Sequence, residues 1–563
     1  MKRHPVTIFF VLAVCLLGVL TVNQSQALAK PNIIVVMADD QRTDDIQAMP
    51  QTKKMIVDQG TNFINSYVSY SLCCPSRTTF LTGQFMHNHG VMWNFWSEVS
   101  EYGPVHGGYF GFKHSTRNGG WGNIMPRWMQ KVGYHTGLIG KYLNQYGTDD
   151  PSTPQSDAKP TEIPPGWNEW VGGVDPTTYS YYGYALNANG KIKSYGKCQH
   201  YSFKVNPNGT ESDVHPSNNP LDGCKATSQR GKDGSEYQTD VEASYAENFI
   251  NKNSKSRSPY FLWVTPTAPH TTTLTGNNEG FPAVPPNRYK NTYKNKLLPQ
   301  WPSLDEADVS DKPVLTPQFP WFLPMGSVGM GMATNHYHGR LGAVRGLDDM
   351  VARILKAVKK SGEEKNTIIV YTSDNGWLLG EHRIVGQKFF GFDPSIKVPL
   401  YIKGPGFLGG KTISTPVVNA DLPAALIQAA GAKPGRILDG IPLQTLMAHP
   451  RNWVNRNVLI ETGKNTRGAY YEGVHTPRYH LEVIHGGGLP ERYELYDLKN
   501  DKYEMNAVTN DPRYASVLSL LIAQTRRLAA CSGTNCRDTS SAPQPVASSL
   551  LANPLDNLRG VGS

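Results

Sequence analysis

The chain lacks several features that would place it in other classes of protein. Its 563 residues contain no dense block of Lys and Arg and no aromatic-basic repeat, which argues against a nucleic-acid-binding protein. There is no internal repeat, the 54 Gly and 41 Pro follow no collagen-like period, and no run after residue 29 is apolar enough to span a membrane. Only 18% of the residues are charged, and the net charge of +9 suits an anionic substrate without requiring one. With 39% hydrophobic residues the chain can form a large core, and its many Gly and Pro residues predict a loop-rich globular protein.

The first 29 residues have the order of a secretory signal peptide. A basic start at residues 2–4 precedes an apolar run over residues 6–22, and the segment ends in Ala27-Leu28-Ala29. We therefore predict cleavage before Lys30 and a secreted, periplasmic or lysosomal protein with no stable membrane partner. The apolar run is also long enough for an uncleaved signal anchor, which is the alternative for this segment.

Seven cysteines are few for a chain of this length, and one of them lies in the predicted signal peptide. In an oxidising compartment we predict the disulfides Cys198–Cys224 and Cys531–Cys536, each of which closes a local polar loop. Cys73 and Cys74 remain. Neighbours in sequence rarely bond each other, so this pair has either a chemical role or a place in the core as small hydrophobic residues.

Continuous apolar, β-branched runs predict buried parallel strands over residues 32–38, 134–139, 260–264 and 367–372. Before the last of these, apolar residues at helical spacing predict a helix over residues 340–360. Strands that alternate with helices or long excursions imply a mostly parallel sheet sandwiched by helices, which is an α/β fold.

After about residue 450 the pattern changes to short strands at 458–461, 478–485 and 493–498, followed by a helical stretch over 515–528. This pattern predicts a smaller, antiparallel α+β subdomain at the C-terminus. The resulting prediction has four parts: a signal peptide (1–29), a main catalytic domain (30–450), a C-terminal subdomain (451–537) and a flexible tail (538–563).

Polar residues follow each of the four predicted main-sheet strands, as Asp39-Asp40, Lys141, His270 and Asp374-Asn375. In an open α/β sheet, ligands bind at the carboxyl ends of the strands, so Asp39 and Asp40 are candidate ligands. Taken alone, Asp39-Asp40 would equally be a turn and a helix N-cap, and Asp374-Asn375 would more often be a hairpin turn. The buried parallel strand that precedes Asp374 argues against the hairpin.

The segment from residue 71 to residue 83, SLCCPSRTTFLTG, is the most informative in the chain. Its C-x-P-S-R and the following Leu-Thr-Gly resemble the signature of the type I sulfatases, in which the cysteine is oxidised to formylglycine. The register of the motif gives Cys73 as that cysteine. The resemblance implies a formylglycine-generating enzyme as a partner during maturation. It also implies that Arg77 holds the aldehyde hydrate, whose hydroxyl beside a divalent cation is a better nucleophile than a serine or cysteine.

A second sulfatase signature is present over residues 133–143, GYHTGLIGKYL. The resemblance implies that Lys141 contacts the sulfate oxygens, for which an ammonium group is suited. Many relatives have histidine two residues after this lysine, where this chain has Leu143. We name His382, in GEHR, as the candidate substitute.

The same resemblance implies a metal site formed by Asp39, Asp40, Asp374 and Asn375 with the residue derived from Cys73. Carboxylate and amide oxygens suit Ca²⁺, with Mg²⁺ as the alternative, and do not suit zinc.

The resemblance also implies roles for His270, in APH, and for Lys388, upstream of Val-Pro. His270 would protonate the leaving alcohol, while Lys388 would stabilise the sulfate oxygens. Each of the two, considered singly, is more often an ordinary loop residue.

The matches to the family span residues 31–510 and imply an alkaline-phosphatase-like fold and a sulfuric ester hydrolase. MHNH at residues 86–89 and GKYLNQY after residue 139 look most similar to N-acetylglucosamine-6-sulfatases and other glycosaminoglycan sulfatases, which favours a sulfated sugar as substrate. The alternatives are an arylsulfatase, a phosphonate or phosphodiester hydrolase of the same fold, and a non-catalytic secreted carbohydrate-binding relative. Several aromatic residues either stack on sugar rings or belong to the core: Trp93, Trp96, Tyr109, Trp121, Tyr181 and Tyr182.

Overall fold

The computed structural model describes most of the chain. The described residues are 30–96, 106–115, 117–148, 159–196, 203–205, 211–213, 236–272, 281–314, 323–407, 409–463, 470–486, 488–541 and 544–546. The predicted signal peptide, the predicted Cys198–Cys224 disulfide and most of the predicted tail lie outside these residues.

The larger part of the chain is built on a ten-stranded sheet. Its strands are β1 (Asn32–Ala38), β2 (Thr61–Phe63), β3 (His135–Gly140), β4 (Glu169–Gly173), β5 (Tyr184–Ala188), β6 (Lys191–Tyr195), β7 (Tyr260–Thr265), β8 (Thr367–Ser373), β9 (Leu400–Lys403) and β10 (Lys411–Ile413). In space they follow the order β10-β2-β9-β8-β1-β7-β3-β4-β5-β6. The central strands β8, β1, β7, β3 and β4 are all parallel, and the antiparallel pairs lie towards the two edges.

Helices cover both faces of this sheet. The α-helices of four or more residues in this part of the chain are α1 (Cys73–Thr82), α2 (Met86–His89), α3 (Gly108–Lys113), α4 (Met125–Gln130), α5 (Gln238–Asn253), α6 (Gly326–Ser361), α7 (Asp393–Ile396), α8 (Asp421–Ala430) and α9 (Leu443–Ala448). Ile33 and Val35 of β1 belong to a core shared with α1, α4 and α8, whereas Ile34 and Val36 belong to a second core shared with α5 and α6. A strand buried on both faces has no position for a polar side chain, which explains its continuous apolar sequence. The predicted sandwich of helices around a mostly parallel sheet is confirmed.

Helix α6 begins at Gly326, well before the predicted start at Arg340. Its first turns are rich in glycine and mostly exposed or half-buried, so they lack the apolar spacing on which the prediction depended. The helix ends at Ser361, one residue beyond the predicted end, and Gly362 adopts the left-handed conformation that closes many helices. Among the helices that the structure describes, none has the length and apolar composition needed to cross a bilayer.

The C-terminal region forms a four-stranded antiparallel sheet of β11 (Val458–Glu461), β12 (Tyr470–His475), β13 (Tyr479–His485) and β14 (Arg492–Asp497) in sequential order. Helix α10 (Ala515–Ala529) packs on it through Val517, Leu521 and Leu528. The smaller antiparallel α+β unit is thus confirmed. The predicted Cys531–Cys536 disulfide is present directly after α10.

His87 on α2 connects the larger part of the chain to the C-terminal region. Its Nδ1 lies 2.8 Å from Glu461 Oε2, and its Nε2 lies 2.8 Å from the carbonyl oxygen of Cys531. Burial alone would lower the pKa of His87, but the hydrogen bond and charge of Glu461 outweigh burial and raise this pKa to about 9. Because both ring nitrogens face acceptors, the folded protein favours the imidazolium form.

We expect His87→Gln to destabilise the protein more at low pH than at high pH. A histidine whose pKa is raised by folding gives stability that is complete below its unfolded value of 6.5 and is lost as the pH rises through about 9. Denaturant unfolding near pH 6 should show the wild type more stable than the variant by about 1–3 kcal/mol, and near pH 10 the difference should be small. A difference that is independent of pH would contradict this prediction.

Candidate active site

Polar side chains from four neighbouring strands converge at the carboxyl edge of the parallel sheet. The last residues of β1 and β8 pair in register, so Asp39-Asp40 and Asp374-Asn375 leave the sheet side by side. The last residues of β3 and β7 also pair, which brings Lys141 close to the loop that carries His270. The strand register therefore brings together the groups that the sequence places at separate strand ends.

Cys73, the first residue of α1, is fully buried at the centre of this group. Its Sγ lies 3.3 Å from Asp39 Oδ1 and 3.9 Å from Asp40 Oδ1. Lys388 Nζ lies 2.8 Å from the same sulfur and also donates to Asp40 Oδ1. Residue 73 thus contacts both the carboxylates and an ammonium group.

Arg77, one turn further along α1, holds two sides of the site together. Its Nε donates to Asp374 Oδ2 at 2.7 Å, and its Nη1 donates to the carbonyl oxygen of Lys141 at 2.8 Å. Lys141 Nζ in turn donates to Asp39 Oδ2 at 2.6 Å. With Asp40 and Lys388, three carboxylates face three cations, so the buried charges compensate one another.

His270 borders the cluster on its more accessible side, with 15% of its side chain exposed. Its Nδ1 lies 2.7 Å from the carbonyl oxygen of Thr271, and its Nε2 lies 3.6 Å from Asp40 Oδ2. A contact with a carbonyl requires a proton on Nδ1, so Nε2 is the nitrogen that can exchange a proton. Burial lowers the pKa of His270, although Asp40 and Asp39 oppose the effect.

The surroundings shift the pKa values of the two buried acids Asp39 and Asp374 in opposite directions. Lys141 and the other nearby cations outweigh burial and hold the pKa of Asp39 well below its ordinary value. Burial and the charge of Asp39 raise the pKa of Asp374 to about 6. Burial and Asp39 also raise the pKa of the Cys73 thiol well above its ordinary value. An unmodified Cys73 is therefore a protonated thiol and a poor nucleophile.

The donor atoms lie close enough together to hold one divalent cation, and the carboxylate and amide oxygens among them suit a hard one. One ligand atom each from Asp39, Asp40, Cys73 and His270 lies within 4.8 Å of the others. Asp40 Oδ2 and Asn375 Oδ1 are buried and have no hydrogen-bond partner among the described residues. Buried oxygens are almost always paired, so these two are available for coordination. Asp40 also has a left-handed backbone, with a φ of 68°. Residues other than glycine rarely adopt this conformation, and it occurs often at functional sites.

Leu143, where many type I sulfatases have histidine, is buried in the hydrophobic core. His382, the predicted substitute, contacts other groups: its Nδ1 lies 2.6 Å from Glu306 Oε2 and its ring packs on Phe392 at 4.1 Å. It lies in the turn between the short strands Leu378–Leu379 and Val385–Gln387. The structure therefore gives no support to His382 as the substitute.

Two aromatic residues that the sequence analysis did not identify border the site. Lys141 Nζ and the ring of His270 each lie 4.8 Å from the ring centroid of Tyr179. Lys388 Nζ lies 5.6 Å from the ring centroid of Trp377. Trp377 could have been found because it follows Asn375-Gly376 directly, but the sequence carries no comparable signal for Tyr179.

Some of the residues that the sequence left as either functional or core residues prove to belong to the core. Tyr109 and Tyr181 are buried, and the Tyr181 hydroxyl donates to the carbonyl oxygen of His270 at 2.6 Å, which fixes that loop. Cys74 is buried in the hydrophobic core beside Phe80, as a small hydrophobic residue would be. The other candidate aromatic residues are partly exposed: Trp93, Trp96, Trp121 and Tyr182.

Comparisons with known proteins agree with this geometry. Residues 31–432 match the family model described as Sulfatase, and residues 380–530 match the model described as N-sulphoglucosamine sulphohydrolase, C-terminal. The extracellular sulfatase SULF-1 homolog of Drosophila melanogaster is 28% identical over 448 residues, which cover 77% of this chain and 33% of that protein. The N-acetylglucosamine-6-sulfatase of Homo sapiens is 27% identical over 478 residues, which cover 81% of this chain and 71% of that protein.

A solved structure in complex with its substrate, D-glucosamine-2-N,6-O-disulfate, matches with a TM-score of 0.63 and 21% identity, over 88% of this chain and 97% of that one. This likeness establishes the fold, which is the predicted alkaline-phosphatase-like one. The Sulfatase model spans most of the chain, including every residue of the carboxylate cluster. The chain therefore belongs to the sulfatase family.

Proposed function

We propose that this chain hydrolyses sulfate esters of sugars with a formylglycine made from Cys73 and a bound Ca²⁺ ion. The observation that carries the proposal is the position of Cys73, whose sulfur lies 3.3 Å from Asp39 Oδ1 and 2.8 Å from Lys388 Nζ. A nucleophile at this position would face a cation held by the carboxylates and an ammonium group suited to an anionic ester.

Asp39, Asp40, Asp374 and Asn375 would hold the cation together with the residue derived from Cys73. Their oxygens suit Ca²⁺, with Mg²⁺ as the alternative. A divalent cation there supplies positive charge that lowers the pKa of a neighbouring hydroxyl and stabilises the sulfate oxygens. Since the three carboxylates and three basic side chains already compensate one another, the loaded site would carry the net positive charge that an anionic ester requires.

The basic residues of the site would bind and orient the sulfate group. Lys141 and Lys388 each bond to one carboxylate of the cluster, Asp39 and Asp40 respectively, so their ammonium groups border the proposed cation site. From there they can neutralise charge that develops on the sulfate oxygens. Arg77 would keep Asp374 in place through the Nε hydrogen bond.

Proton transfer would involve two groups of the site, Asp374 and His270. Asp374, whose pKa burial and Asp39 raise to about 6, would accept a proton from the attacking hydroxyl. His270 would protonate the departing alcohol through Nε2, because its Nδ1 is committed to a backbone carbonyl. An aldehyde hydrate at residue 73 supplies the attacking hydroxyl and a second hydroxyl, whose deprotonation expels sulfate.

A sulfated amino sugar, free or within a glycosaminoglycan, is the proposed substrate. The human relative is named N-acetylglucosamine-6-sulfatase, and the solved structure contains a sulfated glucosamine as its substrate. Tyr179 and Trp377 flank His270, at 4.8 and 6.4 Å between ring centroids, so aromatic walls border the side from which the alcohol would leave.

We further propose that a formylglycine-generating enzyme modifies Cys73 before this segment folds. In the folded chain Cys73 is 0% exposed, so no enzyme could reach its sulfur without local unfolding. Modification during export is consistent with the predicted signal peptide and with the extracellular location in the name of the Drosophila relative.

We expect protein purified from a secreting host to release sulfate from N-acetylglucosamine-6-sulfate. Peptide mass spectrometry across Cys73 would first establish that the thiol has been replaced by an aldehyde. The kcat/KM for the sugar sulfate should exceed those for 4-nitrophenyl sulfate and phenyl 4-nitrophenyl phosphonate by about tenfold or more, because we propose that the residues around His270, including Tyr179 and Trp377, bind a sugar as the leaving alcohol.

The comparison also separates the alternatives. A higher kcat/KM for the aryl sulfate would identify an arylsulfatase, and a higher value for the phosphonate would identify a phosphonate hydrolase. If fully modified protein cleaves none of these esters, the proposal is wrong and a carbohydrate-binding role is favoured.

A further inference from the structure

The segment that follows Lys388 connects the active site to the C-terminal sheet. Lys388 Nζ contacts Asp40 and Cys73, and the next residue, Phe389, donates its backbone N–H to the carbonyl oxygen of Ser71 at 3.1 Å. From there the chain continues to Asp393, the first residue of α7. One end of this segment therefore belongs to the site, and its other contacts show what holds it there.

Phe389 has a left-handed backbone, with a φ of 82°. A residue with a side chain keeps this conformation only where its surroundings impose it. On β12, the buried Tyr471 donates its hydroxyl hydrogen to the carbonyl oxygen of Phe389. Because Phe389 directly follows Lys388, this hydrogen bond fixes the direction in which the lysine side chain leaves the backbone.

Two residues further on, Gly391 lies against buried side chains of β13. A Cβ atom at Gly391 would lie 1.8 Å from Glu482 Oε1 and 3.2 Å from His480 Nε2. Glu482 and His480 are almost completely buried. The backbone at Gly391 thus has no free space on the side of the C-terminal sheet.

Asp393 is held by the same region. Its backbone N–H donates to Glu504 Oε2 at 3.0 Å, and its Oδ1 lies 3.0 Å from His475 Nε2. Glu504 Oε1 also lies 2.7 Å from His480 Nδ1, so His480 fixes the carboxylate that accepts the hydrogen bond from Asp393. Alternate residues from 389 to 393 are therefore fixed by side chains of the C-terminal region.

We propose that Tyr471 is a positioning residue for Lys388: through Phe389 it sets the place of the lysine ammonium group in the active site. Glu482 and Glu504 extend the same support along the segment. This proposal rests on the proposed function in one respect, which is that Lys388 takes part in turnover. It makes the C-terminal sheet a part of the catalytic apparatus rather than an independent module, although Tyr471, Glu482 and Glu504 act on Lys388 only through the backbone of residues 389–393.

Tyr471→Phe removes one hydroxyl and tests this role, and Tyr514→Phe is the matched control. Tyr514 is 7% exposed, as is Tyr471, but its hydroxyl bonds Asp497 Oδ2 at 3.0 Å within the C-terminal region. We expect kcat/KM to fall about tenfold in Tyr471→Phe and less than about twofold in Tyr514→Phe. In a Lys388→Ala background, Tyr471→Phe should have no further effect, because its effect depends on the lysine.

Equal activity of the two tyrosine variants would overturn the proposal. A loss in Tyr471→Phe that is unchanged in the Lys388→Ala background would also overturn it, since the hydroxyl would then act independently of Lys388.

Hydrogen–deuterium exchange over residues 386–396 tests the segment without any enzymatic assay. Tyr471→Phe should accelerate exchange there and leave α10 unchanged, whereas Tyr514→Phe should leave the segment as in the wild type. If the wild type is inactive and the segment still loosens in Tyr471→Phe, the proposed function fails and the positioning role stands. Unchanged exchange in Tyr471→Phe overturns the positioning role, whatever the activity.

Discussion

Cys73→Ala is expected to abolish the hydrolysis of sulfate esters. The replacement removes the thiol whose oxidation would give the proposed aldehyde and leaves the carboxylates, Lys141 and Lys388 in place. Loss of a covalent nucleophile lowers kcat by on the order of 10⁴- to 10⁶-fold in enzymes where the catalytic groups act as a unit. We expect a loss of that size in the initial rate of sulfate release from N-acetylglucosamine-6-sulfate.

Cys74→Ala is the matched control for this experiment. Cys74 is adjacent in sequence and equally buried, but it lies in the hydrophobic core. Its replacement creates a small cavity that lowers stability modestly and should change kcat by less than about threefold. If Cys73→Ala keeps an activity similar to that of Cys74→Ala, a nucleophile derived from Cys73 is ruled out.

The sequence predicted the fold best where one physical signal dominates. Strand β1 has the predicted bounds because burial on both faces leaves a continuous apolar run. The strand at Val458–Glu461 was also located residue for residue. Strands β5 and β6 (Tyr184–Ala188 and Lys191–Tyr195) were not predicted, because they are short and mix polar with apolar residues.

Much of the candidate site followed from the rule that parallel strands present their carboxyl ends at one edge. That rule and the motif around Cys73 together collect Asp39 and Asp374, whose strands prove to be neighbours. Tyr179 was missed because it ends a short 3-10 helix after β4, Thr177–Tyr179, and only tertiary packing brings that helix to His270. His382 was named from the GEHR segment, but it lies in the turn of a hairpin and its Nδ1 lies 2.6 Å from Glu306 Oε2.

The dependence of Lys388 on the C-terminal sheet is equally invisible in the sequence. The contact between Tyr471 and Phe389 joins residues 82 positions apart, and neither belongs to a recognisable motif. Sequence patterns identify residues that act on the substrate because those residue types are constrained by chemistry. They do not identify residues that act through the backbone of another, since a hydrogen bond to a carbonyl can come from many side chains.

Asp374→Asn is expected to lower both cation binding and turnover. The carboxylate accepts hydrogen bonds from Arg77 Nε at 2.7 Å and from the backbone N–H of Asp40 at 3.1 Å. An amide at this position carries no charge for a hard cation, and its NH₂ group would face the N–H of Arg77 or of Asp40, which sets a donor against a donor. We expect kcat/KM to fall by about 10³-fold or more, with less than one cation per chain by elemental analysis of the purified protein.

Asp421→Asn is a control for the loss of a buried carboxylate. Asp421 is also fully buried and bonds a guanidinium, that of Arg456, but it lies at the start of α8. Its replacement should lower the free energy of unfolding while the folded molecules keep their cation and their kcat. A similar loss of cation in both variants would mean that instability, rather than ligation, explains the effect of Asp374→Asn.

Excess Ca²⁺ distinguishes the two roles that we assign to Asp374. If the carboxylate acted as a ligand alone, a saturating concentration would restore occupancy and with it the wild-type kcat. We also propose that Asp374 accepts the proton of the attacking hydroxyl. In Asp374→Asn we therefore expect the cation occupancy to recover while kcat stays at least about 10²-fold below the wild type. Full recovery of kcat would leave Asp374 as a ligand and would move the proton acceptor to another group of the site.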